Sequence, residues 1–244
     1  MNVRIASAFG LIGSLLVAGL VSAAEPAKPA AIKIAMVGDS TMASYANPPV
    51  DRPDLTGWGQ VFGTFFDDSV TIVNLARSGA SSKSFRTLKL WDKALAEKPD
   101  YVFIQFGHND GPGKGDRSSD PQTEYPENLR RFIDEAKAIG AKPILVTPVT
   151  RRIYVNGKIS SPSLEPYVAA NIAVGAEKQV SVIDLYGASV ALFNQLGDEG
   201  SADLSPSTAD RTHFSRKGAM ALAKLVAERV SNQVPLLESH LKLP

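Results

Sequence analysis

Five short runs rich in β-branched and apolar residues constrain the fold of this chain more than any other feature of its sequence. They are Ile32 to Val37, Val70 to Leu75, Tyr101 to Phe106, Pro143 to Thr147 and Val180 to Leu185. Longer segments with helical spacing lie between them, and strands joined by helical crossovers pair in parallel. The alternation predicts an α/β fold, a three-layer α/β/α sandwich with a five-stranded parallel sheet.

Apolar side chains recur every three or four residues in two of the connecting segments. In the first segment they are Leu129, Phe132, Ile133, Ala136 and Ile139. In the second they are Ala219, Leu222, Val226 and Val230. Gly140 follows the first segment and Ser215 precedes the second, as is typical of a helix end and a helix cap. Both segments therefore predict amphipathic helices packed against the sheet.

Residues 1–23 form a unit of their own. Arg4 is the only charged side chain, an apolar stretch follows it, and small residues end the segment at Ala23. This pattern predicts a signal peptide cleaved near Ala23 rather than a membrane anchor, because glycines interrupt the apolar stretch. Residues 24–31 then form a flexible lead-in and residues 32–244 a single domain. We expect a secreted or periplasmic protein without stable membrane association after cleavage.

The charge balance and the cysteine count exclude several classes of function. The 26 basic and 25 acidic residues create no broad field that would attract nucleic acid or an anionic membrane. There are no cysteines, which excludes a disulfide framework, a thiolate nucleophile and a Cys-ligated metal. The scattered carboxylates and histidines follow no ligand pattern, so we expect neither a metal nor a cofactor. The oligomeric state stays open.

A serine stands directly after the first predicted strand. The run ends in Gly38-Asp39-Ser40-Thr41, which places the Ser40 hydroxyl at the carboxyl edge of the sheet, where open α/β folds bind ligands. A lone Gly-Asp-Ser is more often a capping or turn serine. The interpretation of Ser40 as a nucleophile therefore depends on partners elsewhere in the sequence.

Two further polar turns follow the second and third predicted strands. Gly79 lies in NLARSGASSKS, and a glycine there permits a positive φ or a close approach of the backbone to a ligand. Asn109 lies in QFGHND, which ends the third strand. Ordinary turn chemistry also explains each motif taken alone. Their shared position after successive strands is what makes them candidates for one site.

Asp210 and His213 stand three residues apart just before the last predicted helix. This spacing can bring the carboxylate to Nδ1–H of the imidazole while Nε2 faces a nucleophile. The chain has three histidines. His240 lies in an apolar tail and His108 in the third motif, so we interpret His213 as the general base and Asp210 as the residue that orients it.

The order of these motifs resembles the SGNH, or GDSL-type, hydrolase family, and the resemblance extends from Ile32 to about Val230. The longer strings are GDSTMA, the GWG turn at residues 57–59, SGASSKSF, QFGHND and THFS. Together they are similar to rhamnogalacturonan acetylesterases and related carbohydrate esterases. Thr-Met follows Ser40 where lipolytic GDSL enzymes frequently have Leu-Thr or Leu-Ser, which favours the same subgroup. The nucleophile elbow G-x-S-x-G of α/β-hydrolases does not fit.

The resemblance implies a flavodoxin-like SGNH hydrolase fold and a serine esterase mechanism. The residues Ser40, His213 and Asp210 would be catalytic, and the N–H groups of Ser40 and Gly79 with the Asn109 side-chain amide would form the oxyanion hole. We expect an exported enzyme that hydrolyses acetyl esters on a plant cell-wall polysaccharide such as pectin or rhamnogalacturonan. A lipolytic esterase or thioesterase, a carbohydrate O-acetyltransferase and a catalytically silent carbohydrate-binding protein are the alternatives.

The candidate substrate-binding residues lie on or near the predicted strand-end loops. They are His108, Arg77, Trp58, Arg151 and Arg152. Arg151 and Arg152 could each bind a uronic acid carboxylate through two hydrogen bonds, or form a solvated pair. His108 fits either an acyl pocket or a turn that supports Asn109, and Trp58 fits either packing or substrate contact. The sequence leaves open which sugar and which hydroxyl carry the ester, and the acyl length.

Overall fold

A five-stranded parallel sheet forms the centre of the computed structural model, which describes residue 1 and residues 31–243. The strands are β1 (Ile32–Gly38), β2 (Val70–Asn74), β3 (Tyr101–Gln105), β4 (Lys142–Val146), β5 (Tyr154–Val155), β6 (Lys158–Ile159) and β7 (Val182–Ile183). The sheet has the order β2-β1-β3-β4-β7, while β5 and β6 pair with each other as an antiparallel hairpin. The predicted parallel sheet is confirmed. The predicted signal peptide and most of the lead-in lie outside the described residues.

Helices cover both faces of this sheet. They are α1 (Trp58–Val61), α2 (Ser82–Thr87), α3 (Leu90–Ala96), α4 (Glu124–Ala138), α5 (Glu165–Lys178), α6 (Leu185–Gly200), α7 (Arg216–Gln233) and α8 (Pro235–Glu238). Short 3₁₀ turns lie at Phe62–Phe65, Gly115–Arg117 and Ala202–Leu204. Buried side chains of α1, α6, α7 and α8 pack on one face, and those of α2 to α5 pack on the other. The predicted α/β/α sandwich follows. None of the helices described in residues 31–243 is long and apolar enough to cross a membrane.

The central strand β1 shows why its sequence is a continuous apolar run. Ile34 and Met36 belong to the core on one face of the sheet, and Ala35 and Val37 belong to the core on the other. All four side chains are fully buried. A strand with helices on both faces has no solvent side, so its residues need not alternate with polar ones.

The strand order places a crevice at the carboxyl end of β1. From β1 the chain first moves to β2 on one side and then returns to β3 on the other side. The loops after β1 and β3 therefore run in opposite directions, and ligands of open α/β sheets bind where this happens. Ser40 follows β1 and Asn109 follows β3, so the topology brings both residues to this edge.

Three elements differ from the sequence expectations. The fifth strand is limited to Val182–Ile183 because the Asp184 carboxylate accepts a hydrogen bond from the N–H of Gly187 (2.9 Å) and caps α6. Residues 111–126 and 198–212 are rich in Gly, Pro, Ser and Asp, a composition that predicts loops, but α4 begins at Glu124 and α6 extends to Gly200. The β5–β6 hairpin was not predicted, although Asn156-Gly157 at its turn is a typical hairpin sequence and both residues have positive φ.

The GWG turn packs directly behind the segment that carries Ser40. Trp58 is fully buried, its backbone N–H donates to the carbonyl of Thr41 (2.9 Å), and its Nε1–H donates to Gln105 Oε1 (2.7 Å). A side chain in this place has no access to a ligand. The candidate role of Trp58 in substrate contact is therefore corrected, and its interpretation as a packing residue fits.

Substitution of Gly57 by alanine tests this close packing. A Cβ at Gly57 would lie 2.2 Å from the carbonyl oxygen of Ala43 and 2.6 Å from its nitrogen, so the backbone would have to move. We expect Gly57→Ala to lower the free energy of unfolding by about 1–3 kcal/mol in denaturant titrations. Gly111→Ala is the matched control, because a Cβ there meets no atom within 4 Å. Equal stability of the two variants would contradict the packing argument.

Candidate active site

Ser40 lies in a tight turn directly after β1. The Asp39 Oδ1 atom accepts hydrogen bonds from the N–H (2.9 Å) and the hydroxyl (2.7 Å) of Thr41, which closes the turn around Ser40. Gly38 leaves no space for a side chain, because a Cβ there would lie 2.8 Å from the carbonyl oxygen of Gln105 in β3. The small residue and the carboxylate together fix where the Ser40 hydroxyl stands.

Ser40, His213 and Asp210 form one chain of hydrogen bonds. With the proton on Nδ1, His213 donates to Asp210 Oδ2 over 2.9 Å, and its Nε2 accepts from the Ser40 hydroxyl over 3.0 Å. This is the arrangement in which an imidazole can remove the proton of a serine as the serine attacks. The structure thus brings together the three residues that the sequence proposed as nucleophile, base and orienting carboxylate.

The Asp210 carboxylate is held by backbone as well as by the imidazole. Its Oδ1 atom accepts the N–H groups of Thr212 and His213, each over 2.9 Å. Burial by itself would raise the pKa of Asp210, but these two N–H groups and the His213 ring outweigh burial and lower the pKa to about 2. The carboxylate is therefore ionised near neutral pH, as a group that stabilises an imidazolium must be.

Three hydrogen-bond donors remain free beside Ser40. Within residues 31–243, the backbone N–H groups of Ser40 and Gly79 donate to no protein acceptor. Asn109 Nδ2 donates to the carbonyl of Ala80 (3.0 Å), which leaves its second hydrogen available. Gly79 has a φ of +79°, a conformation that favours glycine. Free donors of this kind are what an oxyanion hole needs.

The chain is similar to known proteins of one enzyme family over most of its length. Residues 36–221 match the family model described as GDSL-like Lipase/Acylhydrolase family. The chain belongs to this family. It is similar to rhamnogalacturonan acetylesterase RhgT of Bacillus subtilis (strain 168), with 38% identity over 227 residues, 86% of this chain and 94% of the relative. The probable rhamnogalacturonan acetylesterase YesY of the same organism is 36% identical over 218 residues, 86% of this chain and 97% of that protein.

A solved structure agrees with the family. The crystal structure of the protein YxiM from Bacillus subtilis superposes with a TM-score of 0.72 at 31% identity, covering 82% of this chain and 56% of that one. The protein is therefore a carboxylic ester hydrolase of the GDSL type, as the motifs implied.

Arg152 is buried against the segment that precedes Asp210 and does not face the crevice. Its guanidinium is buried and donates to Ser201 Oγ (3.1 Å), to Ser205 Oγ and to the carbonyl of Asp198 (3.2 Å). Its backbone N–H donates to the carbonyl of Arg211 (2.8 Å). The candidate role of Arg152 in substrate binding is corrected, because its guanidinium already contacts four protein oxygens beneath the surface, including Asp198 Oδ1 (3.4 Å).

Arg52 is a residue of the esterase site that the sequence did not indicate. Its Nη1 lies 3.1 Å from Asp210 Oδ2, the oxygen that also receives Nδ1–H of His213. The side chain is about a quarter exposed, so solvent screens this ion pair only in part. The sequence shows only a basic residue in the Pro- and Asp-rich segment 46–57, and such a position does not predict a distant carboxylate partner.

His108 lies behind the nucleophile turn of the esterase. Its Nδ1 is 3.3 Å from Asp39 Oδ2, and both side chains are almost completely buried. Burial alone would raise the pKa of Asp39, but the nearby imidazole of His108 and hydrogen bonds from Thr41 lower it. The structure favours a role of His108 in supporting the turn that carries Ser40 over direct contact with a substrate.

Two candidate substrate residues lie at the rim of the site. Arg77 is exposed, and its backbone N–H donates to the carbonyl of Gly38 (2.9 Å). Arg151 is half-buried, and its Nη1 donates to Thr212 Oγ1, one residue before His213. No group of three or more potential metal ligands occurs in the part of the chain that the structure describes.

Asp110 is a buried carboxylate that joins the two loops carrying Asn109 and Gly79. Its Oδ1 accepts the N–H (3.0 Å) and hydroxyl (2.5 Å) of Ser82, and its Oδ2 accepts the N–H of Gly107 (3.0 Å). Burial raises the pKa of Asp110 to about 7, although these donors oppose the shift. The carboxyl group thus fixes the relative position of the two loops that supply the free donors.

Removal of the Arg52 charge should change the pH profile of the esterase. In Arg52→Gln the protonated imidazole of His213 no longer lies near a second cation, so the acid limb of kcat/KM should move to higher pH. We expect kcat/KM at its optimum to fall about fivefold, since a partly exposed ion pair contributes about 1 kcal/mol. Arg52→Lys retains the charge and should keep the acid limb in place. An identical pH profile for wild type and Arg52→Gln would show that Arg52 does not influence the Asp210–His213 pair.

Asp110 should make the stability of the esterase depend on pH. Its pKa is raised in the folded state from the ordinary 3.8 to about 7, so its contribution is complete below about pH 4 and is lost as pH rises through 7. Between pH 4 and pH 7 the wild type should lose unfolding free energy relative to Asp110→Asn, which cannot titrate, by about 1.4 kcal/mol for each pH unit. Denaturant unfolding of both proteins at pH 5 and pH 8 measures the change. The control Asp116→Asn removes an exposed carboxylate, and its unfolding free energy should differ from that of the wild type by the same amount at both pH values. If the difference between wild type and Asp110→Asn were also the same at both pH values, the raised pKa of Asp110 would be contradicted.

Proposed function

We propose that this esterase hydrolyses acetyl esters on a plant cell-wall polysaccharide such as pectin or rhamnogalacturonan, and that it works outside the cytoplasm. The observation that carries the proposal is the contact of 3.0 Å between the Ser40 hydroxyl and His213 in a chain 38% identical to a rhamnogalacturonan acetylesterase. The signal-peptide pattern of residues 1–23 supports export.

The first half of the reaction transfers the acetyl group to Ser40. The Ser40 Oγ atom attacks the ester carbonyl carbon as its proton moves to His213 Nε2, and the carbonyl oxygen becomes an oxyanion. The Asp210 carboxylate stabilises the imidazolium through Nδ1–H. The bond between carbon and the sugar oxygen then breaks, and His213 gives the proton to that oxygen. An acetyl-serine and a free sugar hydroxyl result.

The second half releases acetate. Water loses a proton to His213 Nε2 and attacks the acetyl carbon, and the bond to Ser40 breaks as the serine oxygen takes the proton back. In both halves the charge on the carbonyl oxygen is stabilised by the N–H groups of Ser40 and Gly79 and by the free hydrogen of Asn109 Nδ2. Donors fixed by the fold need little rearrangement at that moment, which is why such sites stabilise the transition state.

Substitution of Ser40 is the direct test. Acetate release from acetylated pectin oligosaccharides should fall to background in Ser40→Ala, because the variant lacks the hydroxyl that contacts His213 Nε2. Ser231 lies near the carboxyl-terminal end of α7, so Ser231→Ala should keep wild-type activity. This variant controls for losses of activity during expression and purification. Wild-type acetate release by purified Ser40→Ala would overturn the assignment of the nucleophile.

The same assay separates the alternative functions. A preference for long acyl chains over acetate would indicate a lipolytic esterase or thioesterase, and transfer of acetyl to an added sugar would indicate an acetyltransferase. Binding of the polysaccharide without acetate release would indicate a silent binding protein. Amino-terminal sequencing of the exported protein, with a new terminus expected near residue 24, tests the localisation.

A further inference from the structure

Two half-buried arginines donate to the two segments that flank the site, the Gly79 loop and the segment that leads to His213. Arg117 Nη1 donates to the carbonyl of Gly79 over 2.8 Å, on the side of the oxyanion donors. Arg151 Nη1 donates to Thr212 Oγ1, on the side of the general base. Each guanidinium therefore uses a neutral oxygen as its partner and keeps other N–H donors available.

These two arginines differ in their charge environment from the five arginines of residues 31–243 that form ion pairs. The arginines that form ion pairs within residues 31–243 are Arg52, Arg86, Arg130, Arg152 and Arg211. Arg117 and Arg151 form none with the described part of the chain, although both are partly withdrawn from water. Burial lowers the pKa of Arg151, against the opposing charges of Asp39 and Asp210. A partly desolvated cation of this kind gains free energy when it binds an anion.

We infer that Arg117 and Arg151 form a subsite for the carboxylate groups of uronic acid residues that neighbour the acetylated hydroxyl. The inference rests on the proposed function and names the residues that would select an acidic polysaccharide. The acetyl carbonyl must point at the oxyanion donors, and the sugar oxygen must leave next to His213. On one side of the ester the polysaccharide then passes Thr212, within reach of Arg151. On the other side of the ester it passes Gly79, where Arg117 lies.

The planar fork of an arginine suits this ligand. A guanidinium and a carboxylate form two parallel charge-assisted hydrogen bonds, and a lysine cannot reproduce that geometry. A neutral polysaccharide gains nothing from either cation. Specificity should therefore appear as a difference in kcat/KM between acidic and neutral substrates, carried mainly by KM.

The test compares acetate release from acetylated pectin oligosaccharides and from neutral acetylated xylan oligosaccharides. We expect Arg117→Gln and Arg151→Gln each to lower the acidic-to-neutral ratio of kcat/KM about tenfold or more, the effect of losing a hydrogen-bonded charge pair. Any loss common to both substrates, such as a disturbed Gly79 loop, cancels in this ratio. Arg151→Lys should recover part of the ratio, and added salt should lower it more in wild type than in the double Gln variant.

Arg229→Gln is the matched control. Its guanidinium is also half-buried and donates to a backbone carbonyl, that of Leu225 (3.0 Å), but it lies thirteen residues along α7 from Arg216, roughly 20 Å from the start of that helix. The ratio should not change in this variant. A wild type that deacetylates xylan but not pectin would overturn the proposed polysaccharide and the subsite together. A wild type that prefers pectin, with an unchanged ratio in both Gln variants, would overturn the subsite alone.

Discussion

The contact between Ser40 and His213 joins residues 173 positions apart in the chain, and the candidate site depends on it. Neither side chain could hold the other in place without the sheet and α7. The serine is fixed by the end of β1 at the centre of the sheet, and the histidine by the segment that leads into α7, which packs on one face of that sheet. The buried apolar runs therefore serve catalysis indirectly, because they set the distance between a hydroxyl and an imidazole.

Three carboxylates at the same edge of the sheet show how environment assigns different roles to one residue type. Asp210 accepts backbone N–H groups next to an imidazole, and its pKa falls to about 2. Asp110 is buried more deeply, and its pKa rises to about 7 despite three donors. Asp39 is buried as well, but His108 lies beside it and the net shift is downward. One carboxylate supports the base, one joins the donor loops and one shapes the nucleophile turn.

The arginines around the site divide in the same way, by their partners. Arg52 contacts the Asp210 carboxylate, and Arg152 is buried among oxygens of residues 198–205 at the end of α6 and just after it. Arg117 and Arg151 donate to neutral oxygens, the carbonyl of Gly79 and the hydroxyl of Thr212, and form no ion pair with the described part of the chain. The adjacent residues Arg151 and Arg152 thus have different partners, which follow from the direction in which each side chain leaves the backbone.

The sequence by itself determined the sheet, the helices at 129–139 and 219–230, and the order of Ser40, Gly79, Asn109 and His213 after successive elements. These features are local, because periodicity and turn chemistry follow from neighbouring residues. Only the tertiary structure decided that Trp58 and Arg152 are buried, that Arg52 reaches Asp210 and that Arg117 lies beside Gly79. The physical reason is that the burial and partners of a loop side chain depend on whichever distant segment packs against it, and no local pattern of residues encodes that segment.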